Sequence, residues 1–87
     1  MYELRKLDPA EQGLAKLDVQ SAKRIIKRIR WLAENFDSIK PEALHGELAG
    51  LFKLRVGDYR VVYQVLRDER QIVIHDVGHR REIYKTK

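Results

Sequence analysis

The stretch that most limits the possible fold is Leu51 to Tyr63, LFKLRVGDYRVVY. Its centre, Val56-Gly57-Asp58-Tyr59, suits a tight turn between two strands. Gly takes positive φ freely, and Asp bonds its own backbone. Side chains along a strand point to alternate faces. Phe52, Leu54 and Val56 therefore share one face, fit for burial. Leu51, Lys53 and Arg55 share the other, and Arg60 enters just after the turn. The second arm, Tyr59 to Leu66, is rich in β-branched and aromatic residues. Arg67 to Arg70 reads as a polar turn. Gln71 to Val77 reads as a third strand of this group, apolar on both faces and hence central. Gly78 reads as its end. Cations on a pleat, away from the buried face, point to a polyanionic partner.

The N-terminal half has a different period. Ala22, Ile25, Ile26, Ile29, Leu32, Ala33 and Phe36 recur at spacings of three and four, behind a helix cap at Asp18. Lys23, Arg24, Lys27, Arg28 and Arg30 lie off that stripe. A solvated surface and a face that touches RNA or an acidic partner both fit them. Trp31 is also off the stripe, either as a protein contact or as cover for the helix edge under a loop. A shorter helix starts at Asp8-Pro9, with Asp8 as cap, Pro9 in the first position and Glu11 at capping-box spacing. It carries Ala10, Leu14 and Leu17 on one face, and Gly13 weakens it. Tyr2 to Leu7 alternates as a short strand.

Asn35 to Gly50 is a connector punctuated by Pro41, Gly46 and Gly50. In it, Leu44 and Leu48 either dock the loop or form a single helical turn. His45 reads as a loop residue, and His75 as a core or rim histidine. The order strand, helix, helix, three strands predicts one α+β domain over residues 1–87. Two N-terminal helices would pack on one face of a small, mostly antiparallel sheet.

Hydrophobic residues make up 44% of the 87, enough for one small core. Eighteen Lys and Arg against 13 Asp and Glu give a net charge of +5. That balance suits nucleic acid, an acidic protein or an anionic surface, and equally plain solubility. With no cysteine in the chain, disulfides and thiolate metal sites are excluded. No long apolar run or signal-peptide core is present, so the expectation is a cytoplasmic protein without a membrane partner.

No Gly-rich phosphate loop, Ser-His-Asp set, carboxylate pair or metal cluster stands out, and no cofactor is expected. What remains is Lys53, Arg55, Arg60, His79, Arg80, Arg81 and Tyr84. Such a set binds a phosphodiester and stabilises the charge added as a pentacoordinate state forms. RNA brings its own nucleophile, the 2′-OH, which needs only positioning and proton transfer. Tyr84 or His79 would move those protons, since clustered cations lower a tyrosine's pKa. On chemistry alone, simple RNA or DNA binding fits as well.

LHGELAGLFKLRVGDYRVVYQV, the DER turn, the apolar strand and VGHRREIY together resemble the toxins of the RelE/ParE superfamily of type II toxin–antitoxin systems, in the RelE-like branch. The likeness covers essentially the whole chain and agrees with the two-layer fold. It implies a metal-independent endoribonuclease (an mRNA interferase) that cuts mRNA in the A site of the 70S ribosome. The 2′-OH attacks the adjacent phosphate, a 2′,3′-cyclic phosphate results, and translation stops. Carried over by motif, Lys53 binds phosphate and shuttles a proton. Arg60 and Arg80 stabilise the transition state, Tyr84 is the base on the 2′-OH, and Arg55 supports them. His79 stands where relatives often carry lysine and would take over an acid or base function. Leu51 stands where a second lysine is common. Arg81, Lys27 and Arg24 would add RNA-binding charge. The chain ends three residues past Tyr84, so no C-terminal helix is expected. The resemblance also implies a cognate antitoxin, through which the complex would bind its own operator DNA. Two alternatives share the scaffold: a ParE-type inhibitor of DNA gyrase and a non-catalytic binding module.

Overall fold

The computed structural model describes residues 1–79. Its elements in chain order are β1 (Glu3–Lys6), α1 (Asp8–Ala15), α2 (Val19–Asn35), β2 (Glu42–Ala43), β3 (Phe52–Val56), β4 (Tyr59–Leu66) and β5 (Gln71–His79). They form an α+β fold, with one five-stranded sheet in the order β1-β5-β4-β3-β2. Only the β1–β5 pair is parallel among the described strands. The hairpin turns at Gly57, whose φ of +60 is the left-handed geometry expected there. β5 lies between β1 and β4, the central position read from its two apolar faces.

Both helices bury their stripes against one face of the sheet. Ile25, Ile29, Leu32 and Ala33 of α2 join Ala10 and Leu14 of α1 over Leu54, Val56, Val61, Tyr63, Ile72, Ile74 and Val77. The Val, Leu and Ile side chains among them each contribute about 1.5–3 kcal/mol when fully buried. Phe36, just past α2, meets Tyr2 edge-on at 5.1 Å and Tyr63 at 6.4 Å, and Phe52 stacks on Tyr63 at 5.7 Å. This aromatic chain ties the N-terminus, the end of α2 and the hairpin together.

Several local expectations are corrected. β5 does not stop at Gly78 but continues to His79, because β4 keeps pairing with it through Arg60↔Gly78 and Tyr59↔His79. The cap of α1 is Leu7, not Asp8. β1 runs directly into the helix: the Leu7 N–H donates to the Ile74 carbonyl at 2.9 Å, and the Leu7 carbonyl accepts from Glu11 at 3.1 Å. Asp8 and Pro9 sit in the first turn, where a carboxylate favours the helix dipole. The Asp18 cap of α2 stands as expected, accepting from the Ser21 N–H at 3.1 Å. The Ser21 side chain first, and then that backbone bond, hold the Asp18 carboxyl below its usual range.

Gly13 is more than a weak point in α1. A Cβ there would overlap the Val77 carbonyl oxygen, so the missing side chain lets α1 lie directly on β5. The connector has structure of its own: 3-10 turns at Phe36–Ser38 and Gly46–Leu48, with β2 between them as a fifth strand. The β4–β5 register slips between Val62 and Tyr63, leaving His75 as the extra residue. Its Nε2 is hydrogen-bonded to Gln64 Oε1 at 3.1 Å, as suits a rim histidine. No helix among the described residues is long and apolar enough to cross a membrane.

Candidate functional site

The sheet face turned away from the helices is built by strand alternation. Phe52, Leu54 and Val56 pack toward the helices, so Lys53 and Arg55 project the other way. Two cross-strand rows result. One runs Lys53↔Val62↔Asp76, the other Arg55↔Arg60↔Gly78. Val62 and Val73, on this same face, are buried, so the cations stand over an apolar floor.

Arg60 is the unusual group. It is 8% exposed, the only polar residue among the buried set of described residues. One Nη donates to its neighbour's carbonyl at Tyr59 over a long 3.4 Å. Its Nε has no hydrogen-bond partner among the described residues. Arg55 stands directly opposite, adding like charge. Removing a cation from water costs several kcal/mol unless an anion accompanies it. An anion bound beside Arg60 would offset that cost.

Lys53 and Arg55 share one carboxylate, that of Glu42 on β2. Glu42 Oε2 is 3.5 Å from Lys53 Nζ and 3.7 Å from Arg55 Nη2. Arg55 is largely solvent-facing, and Lys53 is more enclosed. Asp76 is the other acid on this face. Burial pushes its carboxyl above the ordinary range, while the Val77 N–H, His75 and Lys16 draw it down. Tyr63, on the helix side, is pushed up to about 12, first by burial and then by the charge of Glu42. It stays a neutral phenol.

The other expected residues fall as follows. His79 pairs with Tyr59 and contacts its ring edge-on at 5.9 Å. Alternation from Val77 puts it on the helix side, not with Lys53 and Arg60. Lys27 is exposed on α2, apart from the sheet cations. Arg24 reaches the hairpin turn, its guanidinium 3.2 Å from where a Gly57 Cβ would be. Arg80, Arg81 and Tyr84 lie outside the described residues. Sequence reasoning passed over Glu42 and Asp76. Their only signal was a carboxylate within reach of a cation-bearing strand, which spacing alone does not reveal. Helical spacing places Arg28 on the solvated surface of α2, yet Arg28 and Trp31 line a cleft together with Lys53 and Arg55.

A family model described as the ParE toxin of type II toxin–antitoxin system, parDE, matches residues 4–84. Toxin RelG of Mycobacterium tuberculosis is 43% identical over 42 residues, covering 48% of each chain. The match thus spans about half the length of that curated relative. The fold is similar to the RelBE2 toxin–antitoxin complex of M. tuberculosis, with a TM-score of 0.81 and 29% identity over 91% of this chain and 98% of that one. The isolated E. coli RelE toxin gives 0.76 and 25%, covering 98% and 93%. The shared architecture and the near-complete match to the family model lead to one conclusion: the chain belongs to the ParE toxin family of type II toxin–antitoxin systems, within the RelE/ParE superfamily.

Proposed function

We propose that this chain is a metal-independent endoribonuclease that cuts mRNA in the ribosomal A site. The observation that carries this reading is Arg60, a buried guanidinium whose Nε lacks a partner among the described residues, on the same face as Lys53 and Arg55. Three cations there suit a scissile phosphate and its neighbour. The 2′-OH attacks phosphorus, the bond to the 5′ oxygen breaks, and a 2′,3′-cyclic phosphate forms. The leaving oxygen takes up a proton. Arg60 stabilises the added charge, Lys53 holds the phosphate and supplies a proton, and Arg55 steers the backbone. Arg80 and Tyr84 keep the roles their motif implies, as second stabilising cation and base on the 2′-OH. His79, paired with Tyr59, fits a positioning role at the end of β5. Arg81, Arg24 and Lys27 add long-range attraction for RNA. The ribosome would align the 2′-OH, which this set of groups does poorly unaided.

A cytoplasmic setting and a cognate antitoxin follow from the same reading. The RelBE2 relative is a complex of toxin and antitoxin. For this chain we expect a small partner with an acidic or amphipathic segment that covers the basic face, and through which the pair binds operator DNA. A partner that bound without blocking cleavage would contradict this.

One observation favours a second reading: the family model is described as a ParE toxin, which points to DNA gyrase. Purified translation on programmed ribosomes with end-labelled mRNA, run beside a supercoiling assay, separates the two. Cleavage within the A-site codon, absent from naked RNA and lost in Arg80→Ala and Tyr84→Phe, supports the ribonuclease. Intact mRNA with blocked supercoiling supports gyrase. Neither effect leaves a module without catalysis.

A further inference from the structure

We propose that the cleft between α2 and the edge of β3 is a base-stacking subsite for single-stranded RNA, with Trp31 as the stacking surface. The inference rests on the ribonuclease reading and extends it to a nucleotide beside the scissile phosphate. β2 pairs with β3 only through Glu42↔Lys53 and Ala43↔Phe52, so the strand pairing ends before Leu54 and Arg55. There the cleft opens, about 260 Å3 in volume, walled by Arg28 and Trp31 of α2, Lys40 and Pro41 of the connector, and Lys53 and Arg55 of β3. This lies just below the range of pockets that enclose whole ligands, about 300–1,000 Å3. It suits one planar group rather than a complete small molecule.

Its chemistry is that of a single-strand site. Such sites combine a cationic track for the backbone with an aromatic face for a base. Trp31 keeps 38% of its surface exposed, unusual for so large an apolar side chain. The Arg28 guanidinium lies over its ring at 4.5 Å from the centroid. That contact orients the indole and places a positive charge beside whatever stacks on the remaining surface. Four cations face one carboxylate, Glu42, around the cleft. Lys53 and Arg55 belong both to the sheet face turned away from the helices and to this cleft, so a strand with its phosphates on them passes the edge of β3 near Trp31. An acidic peptide would answer the charge but would leave the indole without a flat partner.

Trp31 is the only tryptophan in the chain, so fluorescence excited at wavelengths tyrosine does not absorb reports this site alone. The probe is a short, uncleavable 2′-O-methyl oligoadenylate, compared with an abasic oligonucleotide of equal length and with polyglutamate. Saturable quenching by the oligoadenylate and not by the other two is expected. Anisotropy of the labelled oligonucleotide should show affinity falling about tenfold or more in Trp31→Leu, and largely kept in Trp31→Phe. Melting of both variants checks the fold. Binding that leaves Trp31 fluorescence unchanged, equal quenching by the abasic strand or polyglutamate, or full affinity in Trp31→Leu would overturn the subsite. Cleavage on ribosomes by the unaltered chain is scored separately. Cleavage with a silent Trp31 sinks this inference alone, whereas absent cleavage sinks the parent reading.

Discussion

Arg60 on β4 stands directly across the ladder from Arg55 on β3, with nothing larger than Gly78 on its other side. Like charges opposite one another on a sheet weaken it. Here one of them is also buried. A fold selected only for stability would place an apolar residue at that position. Arg60→Met should therefore raise stability, by about 1 kcal/mol or more, while abolishing cleavage. In a domain of this size that corresponds to a rise of about 4–8 °C in Tm. Thermal melts with parallel cleavage assays check it. A fall in Tm would mean that an anionic partner already neutralises Arg60 in the free chain.

Glu42 pairs with both Lys53 and Arg55, so under the proposed function an RNA phosphate would compete with it there. Glu42→Gln should strengthen binding to an uncleavable RNA oligonucleotide and steepen its log–log salt dependence by roughly one unit, as cations are released for phosphate contacts. Titrations at several salt concentrations measure both. An unchanged slope would mean that RNA leaves the ion pairs intact.

Asp76 predicts a pH signature. Burial raises its pKa, so the folded chain holds that proton more tightly than the unfolded chain. The resulting stabilisation is complete below the ordinary value of 3.8 and disappears as pH rises through the raised one. Asp76→Asn removes the dependence. Its Tm advantage over the parent should grow from acid pH toward neutrality and then level off. A difference independent of pH would assign the effect to packing instead.

Gly13→Ala sets helix propensity against packing. In an exposed helix the change would stabilise by about 1 kcal/mol. Here the new methyl meets the Val77 carbonyl, and pushing α1 off β5 should cost about 1–3 kcal/mol. Denaturant unfolding gives the sign, and net stabilisation would contradict the close approach.

These positions also show where the sequence stops being informative. The hairpin follows from alternation on either side of Gly57, the stripe of α2 from its spacing of three and four, and the interior place of β5 from its two apolar faces, and the structure agrees. β2 is two residues long, too short for alternation to register. Gly78 looked like a strand end because propensity is local, whereas the ladder with Arg60 is not. The face of His79 depends on the continuation of β5 beyond that glycine. Lys53, Arg55 and Arg60 share one sheet face, as alternation around the hairpin predicts once Phe52, Leu54 and Val56 turn to the core. The cleft at Trp31 was not legible, since it exists only once α2 is set against β3.

The central claim is that Arg60 acts on the reacting phosphate rather than through general attraction for RNA. The most direct test is the single-turnover rate of mRNA cleavage on programmed ribosomes for Arg60→Ala and Lys27→Ala. Losing one preorganised charge-stabilising group costs on the order of a hundredfold or more, so Arg60→Ala should fall at least that far, and Lys27→Ala only slightly. Equal, small losses in both would contradict the account and leave only electrostatic binding.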